Sequence, residues 1–271
     1  MSHAKITVNP KWWHKLHWSE YGAELLGTAI LVFVGLSAVV FNFAQGLPME
    51  QLIPNRSLRL LITGLMFSGT GSLVAISPLG KLSGAHVNPA VSLAFWLQGK
   101  MHLQDIGGYI IAQFLGAISG AVLLVFLWGK YAVSVNNGVT SPGLGYSLWY
   151  VFTAEVTMTA ILVLAIFIFV SNRRLMRWTP LMTWLLVAIM VWLGAPISGT
   201  SLNPARSIGP AFVTWFWTDQ WLYCIAPPLG AILAVWVFRL ISFGQLEVLT
   251  GKLFHVPNYR CIFKNVKVPH R

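Results

Sequence analysis

The sequence predicts an all-α membrane protein of six transmembrane helices and two re-entrant half-helices, arranged as an inverted repeat. Three observations lead there: six apolar stretches long enough to span a bilayer, two apolar segments too short to do so, and two motifs that recur in the same order in each half. Of 271 residues, 56% are hydrophobic and only 9% charged. That is too little polar surface to cover a water-soluble domain of this size.

The chain begins with Lys5, Lys11 and Lys15 around Trp12 and Trp13, with Trp18 following, and has neither the short apolar region nor the small-residue cleavage site of a signal peptide. Residues 1–18 are therefore expected to be a retained interfacial segment on the cytoplasmic side. A span needs about 20 mostly apolar residues to cross roughly 30 Å of hydrocarbon. The stretches 20–43, 58–78, 104–128, 148–171, 179–196 and 220–242 qualify. Their internal glycines, among them Gly64, Gly69, Gly71, Gly116 and Gly120, suit close helix packing in lipid.

Cytoplasmic loops carry the excess of Lys and Arg. Lys5, Lys11, Lys15, Lys81, Lys100, Arg173, Arg174, Arg177 and the tail cations Lys252, Arg260, Lys264, Lys267 and Arg271 fall on one side; Arg56, Arg59 and Lys130 fall on the other. Both termini are expected in the cytoplasm, with the plasma or inner membrane as the site of residence. Residues 243–271 then form a basic cytoplasmic tail, which positive-inside topology explains as well as binding to anionic lipid does. The net charge of +11 does not point to nucleic acid, because these cations form no interleaved basic and aromatic surface. Cys224 and Cys261 fit neither a disulfide framework nor a metal-ligand spacing, and no cofactor is implied.

Residues 89–97 and 204–217 are apolar but short, each introduced by a Gly-containing turn and Asn-Pro. The first is about 14 Å long as a helix, near half the hydrocarbon thickness. The internal repeat decides what such segments do. Ala23-Glu24-Leu25-Leu26-Gly27-Thr28-Ala29-Ile30-Leu31-Val32 matches Ala154-Glu155-Val156-Thr157-Met158-Thr159-Ala160-Ile161-Leu162-Val163. Ser83-Gly84-Ala85-His86-Val87-Asn88-Pro89-Ala90-Val91-Ser92 matches Ser198-Gly199-Thr200-Ser201-Leu202-Asn203-Pro204-Ala205-Arg206-Ser207. Three spans per half is an odd number, so the halves (about 19–128 and 148–242) are inverted, and the short segments enter from opposite faces to meet at the midplane. Irregular backbone at that depth must be buried or line a wet cavity.

Asn is a preferred N-cap, and Pro suits the first helical position because the N–H it lacks is unpaired there anyway. With the Asn side-chain oxygen capping its helix, the amide donors of Asn88 and Asn203 are expected to face a passing oxygen. Each half-helix points its positive end, about half an elementary charge, at the same spot, which disfavours cations and protons. Arg206 breaks the symmetry, since its counterpart is Val91. A charge at that depth faces a wet cavity or a partner. Glu24 and Glu155 occupy matching places in spans one and four and are read as acceptors for the irregular backbone, with a proton relay as the alternative. His86 is read as loop-structural, and no metal site is assigned.

On the two Asn-Pro-Ala boxes at 88–90 and 203–205, Arg206 after the second, and the Ala-Glu motifs of spans one and four, residues 19–242 resemble the aquaporin family, the major intrinsic proteins. The resemblance implies an hourglass fold, a pore in every subunit and a homotetramer. Ser207 and Ala211 stand where glycerol facilitators usually carry an acidic and a basic residue, and the aromatic pair of water channels in span six is half matched by Tyr223-Cys224. The family's outer filter maps onto Thr200, Arg206, Val191 in place of the His of strict water channels, and Phe67, with Ser68 the alternative by spacing. The implied function is a passive channel for water, with leak of other small neutral solutes. Alternatives are a facilitator mainly for glycerol, hydrogen peroxide or ammonia, a proton-coupled transporter using Glu24 and Glu155, and a membrane enzyme or junction protein. No acid–base pair, nucleophile or metal cluster at catalytic spacing supports an enzyme.

Overall fold

In the computed structural model, residues 16–243 and 245–268 are described, so Lys5, Lys11, Trp12, Trp13, Lys15 and Arg271 lie outside the described residues. Helix α1 (Trp18–Phe43) is followed by a short α2 (Met49–Leu52) and by α3 (Arg56–Ile76). The Asn55 side chain caps α3 by accepting from Leu58 N at 3.1 Å. The second span ends at Ile76 rather than at 78, because a residue before proline is driven out of the helical region and Pro78 opens a new helix, α4 (Pro78–Ser83), with extended Ser77 between them. The first half closes with α5 (Pro89–Leu97) and α6 (Leu103–Trp128).

The second half repeats the plan after a one-turn helix α7 (Lys130–Val133). It contains α8 (Leu148–Val170), α9 (Thr179–Ser198), α10 (Pro204–Thr214) and α11 (Gln220–Ser242). The second half-helix stops three residues short of the expected 217: Trp215 takes a left-handed conformation, φ 58°, and the amides of Trp215 and Phe216 both turn back to Ala211 O. Among the described residues, six helices (α1, α3, α6, α8, α9 with the turn before it, and α11) are long and apolar enough to cross a membrane. The 89–97 half-helix forms over the expected range.

Inverted symmetry is visible in the packing. Helix α1 packs along α6 as α8 packs along α11, α3 lies against α9, and α5 contacts α11 as α10 contacts α6. The tightest crossings correspond too. A Cβ at Gly116 would sit 2.2 Å from Leu25 O on α1, and one at Gly230 would sit 2.4 Å from the matching Val156 O on α8. Gly71, by contrast, has room, with Leu31 Cδ1 at 3.5 Å. Gly116→Ala is therefore expected to force α1 and α6 apart at a cost of about 1–3 kcal/mol, whereas Gly71→Ala is neutral; thermal unfolding of the purified variants in detergent checks both. Leu26, Ile30, Phe126, Leu127, Leu193 and Trp236 project outward from the spans, the apolar exterior that a lipid-facing surface requires.

The tail does not trail away from the bundle. Leu249 N donates to Val170 O at 3.1 Å, Lys264 N to Lys100 O at 2.8 Å, and Lys252 Nζ to Lys81 O and Arg260 O at 2.5 and 2.6 Å. Val248, Thr250, Lys252 and Phe263 are buried, and burial pushes the Lys252 ammonium below the usual lysine range. On the opposite face, Arg59 is also buried, donating to Asn42 O at 2.9 Å and lying 5.1 Å from the Phe43 ring centroid.

Candidate functional site

Asn88 and Asn203 cap α5 and α10 from extended backbone conformations. Asn88 Oδ1 accepts from Ala90 N at 2.9 Å; Asn203 Oδ1 accepts from Ala205 N at 3.0 Å and from Arg206 N at 3.3 Å. Their amide nitrogens tie the two halves together: Asn88 Nδ2 donates to Leu202 O and Asn203 Nδ2 donates to Val87 O, each at 2.8 Å. The two N-termini thus meet head to head. An amide carries two N–H hydrogens, so this reciprocal link takes one from each Asn and leaves one for the cavity both residues line. The capping follows the sequence expectation, but half of the donor capacity expected to face the cavity holds the junction instead.

The loops before the boxes take matching conformations that L-residues rarely adopt: Ala85 and Thr200 have φ 55° and 47°, Val87 and Leu202 have φ 42° and 56°. Backbone held this way turns its N–H groups away from regular partners, and the buried glutamates receive them. Glu24 accepts from Ser83 Oγ (2.7 Å), His86 N (3.0 Å), Val87 N (2.7 Å) and Gln113 Nε2 (2.7 Å). Glu155 accepts from the corresponding Ser198 Oγ (2.7 Å), Ser201 N (2.8 Å) and Leu202 N (2.9 Å). Gln113 has no counterpart, because Pro227 stands at the equivalent turn of α11. Tyr109 OH and Tyr223 OH complete the frame, donating to Ser83 O at 2.5 Å and Ser198 O at 2.7 Å. Tyr109 and Gln113 escaped the sequence reading, although Tyr109 and Tyr223 hold equivalent places near the starts of α6 and α11 and could have been found by extending the repeat.

His86 is buried in the first of these loops. Its ring stacks on Phe95 with centroids 4.7 Å apart; Nε2 lies 2.8 Å from Gly251 O and Nδ1 3.1 Å from Ser92 Oγ. A carbonyl only accepts, so Nε2 carries the hydrogen there and Nδ1 is left to accept from Ser92.

On the side away from the tail, Arg206, Phe67, Val191 and Thr200 line one cavity of about 540 Å³ together with Asn88 and Asn203. Arg206 donates to Gly138 O at 2.9 Å, and its guanidinium carbon lies 5.4 Å from the Phe67 ring centroid. Ser68 also borders the cavity, but its hydroxyl is turned to Gly64 O and Trp184 O at 2.6 and 2.8 Å. Phe67 is thus the residue placed beside Arg206. Thr200 Oγ1 donates to Met190 O at 3.3 Å, while Val191 adds only methyl groups. Gly138, Ala195 and Leu253 line the cavity as well and were not singled out in the sequence. Each belongs to a loop, a tail or the next turn of a helix, where no repeat flags it.

Residues 11–238 of the chain match the family described as Major intrinsic protein. The chain belongs to that family. Among its relatives are Aquaporin NIP1-1 of Arabidopsis thaliana, 33% identical over 82% of this chain and 73% of that one, and Aquaporin Z of Rhodopseudomonas palustris, 32% identical over 86% and 97%. Aquaporin-2 of Homo sapiens is 34% identical over 85% of this chain and 81% of its own. Among solved structures, the aquaglyceroporin from Plasmodium falciparum superposes with a TM-score of 0.65 at 25% identity, covering 84% of this chain and 96% of that one. This major intrinsic protein is therefore an integral, multi-pass membrane protein, and the all-α architecture of six spans and two half-helices is the family's own.

Proposed function

We propose that this chain is a passive pore for water that also passes other small neutral solutes, with Asn88 and Asn203 at the midplane and Phe67, Val191, Thr200 and Arg206 as the outer filter. One observation carries the reading: two half-helix N-termini meet head to head, linked by their capping asparagines, on the wall of a cavity that Arg206 also lines. One amide hydrogen per Asn and the guanidinium N–H groups offer donors to a passing oxygen. The two helix ends and Arg206 present positive charge to any cation or proton.

Relatives named as aquaporins and a solved neighbour named as an aquaglyceroporin support the class. Glu24, Glu155 and His86 are assigned as polar supports, since both oxygens of each carboxylate already accept hydrogen bonds and neither is left to relay a proton. The excess of Lys and Arg on the tail side supports cytoplasmic termini, and the outward apolar faces supply surface for lipid and for the neighbours of a homotetramer.

Val191→His tests the solute range. Stopped-flow light scattering on proteoliposomes is expected to show fast water flux with low activation energy for both proteins, and glycerol and peroxide entry about tenfold slower in the variant, because the imidazole narrows the filter. An unchanged ratio of solute to water flux removes Val191 from the filter, and flux that requires a pH gradient overturns the passive channel.

A further inference from the structure

The tail-side mouth of the cavity has a wall that belongs to none of the eight membrane segments. Leu253, beyond the last span, lines the cavity. Its backbone is pinned there: Leu253 N donates to Gly84 O at 3.0 Å, and Gly251 O holds the His86 ring at 2.8 Å. Around this point the chain is tightly fitted. A Cβ on Gly251 would fall 2.1 Å from Phe263 Cδ1, and Phe263 in turn lies against the His86 ring, centroids 5.5 Å apart. Lys252, wholly buried, and Arg260, 3.4 Å from the buried Glu20 carboxylate, fasten the same segment to α4 and α1.

The inverted repeat shows what this segment corresponds to. On the opposite face, the loop joining the two halves occupies the equivalent place: Gly138 O holds Arg206, and Thr140 Oγ1 donates to Ser207 Oγ at 2.6 Å. Ser207 is the counterpart of Ser92, which contacts His86; Gly199, the counterpart of Gly84, packs against Thr140. Each loop before a half-helix is thus braced by a segment from outside the membrane helices, and each bracing segment lends a wall to the cavity. The linker does so beside a polar filter. The tail does so with a leucine.

We infer that Leu253 is a conductance- and size-determining residue of this channel, forming an apolar threshold at the tail-side mouth. The inference rests on the passive-channel reading. Water crosses an apolar constriction at a rate set by its width, because a narrower one loses its water column. A fixed main chain makes the width at 253 a property of the side chain alone, so its volume should tune the flux. The tail is then a working part of the pore.

Proteoliposomes carrying the full-length chain, compared with empty liposomes, test both layers separately. If the unaltered protein adds no water flux, the channel reading fails. If it conducts, Leu253→Trp is expected to cut water flux roughly fivefold, and Leu253→Ala to raise glycerol entry relative to water about threefold. Leu253→Cys with Cys224→Ser and Cys261→Ser, treated after reconstitution with a benzyl methanethiosulfonate, provides a readout on protein that has already folded. Loss of flux on labelling and its recovery on reduction support the assignment. Full labelling with unchanged flux, or no labelling of the introduced thiol in a conducting protein, overturns it.

Discussion

Replacing Glu155 with alanine is expected to destabilise this protein strongly, by about 3 kcal/mol or more. The carboxylate is fully enclosed and accepts from Ser198 Oγ, Ser201 N and Leu202 N. Alanine removes the acceptor of all three donors in a space closed to solvent. Each orphaned donor costs about 1–3 kcal/mol, so the total is about 3 kcal/mol or more. The effect extends beyond stability, because Leu202 O receives Asn88 Nδ2 and Leu202 sits one residue before Asn203. Releasing the loop therefore loosens the junction between the two half-helices itself. Thermal unfolding in detergent should shift down by about 10 °C, taking about 2–4 °C per kcal/mol for a chain of this size. Glu155→Gln, which keeps an acceptor for two of the three donors, is expected to fall between. A proton-relay role makes the opposite forecast, an unchanged melting temperature with loss of pH-driven flux alone.

Arg206→Val should produce the largest change in what the pore excludes. The first half already carries valine at the matching position, Val91, so the substitution restores the symmetry that the sequence breaks. It removes the guanidinium that borders the cavity, its hydrogen bond to Gly138 O and its contact with Phe67. A unit charge about 4 Å from a passing cation at an effective dielectric of about 20 opposes it by about 4 kcal/mol. The two half-helix ends remain, each with about half a charge, and hold back part of the flux. The net expectation is a proton leak about tenfold above the unaltered protein, read with a pH-sensitive dye trapped in proteoliposomes, together with faster glycerol entry through the emptied space. An unchanged proton leak would place the whole barrier at the junction of the two half-helices.

Both forecasts use residues visible in the sequence and partners that were not. Glu24 and Glu155 stand out because they repeat, and the two Asn-Pro-Ala boxes because each joins a cap, a proline at the first helical position and a segment too short to span. These are local or periodic signals; in the structure the two asparagines cap their half-helices and the two carboxylates accept from the loops before them. Gln113, Gly138 and Leu253 carry no such signal. Their roles depend on where α6, the linker and the tail come to rest in three dimensions.

Local chemistry thus determined most of the plan: bilayer-length apolar runs set the spans, the odd number of spans per half set the inversion, and capping chemistry set where each half-helix begins. Only the tertiary structure decided that each asparagine gives one donor to the opposite half, that Phe67 rather than Ser68 leans on Arg206, and that the basic tail folds under the bundle to set Leu253 on the cavity wall. A hydrogen bond or a packed ring depends on distance between residues far apart in the chain, and composition, period and spacing carry no record of that distance.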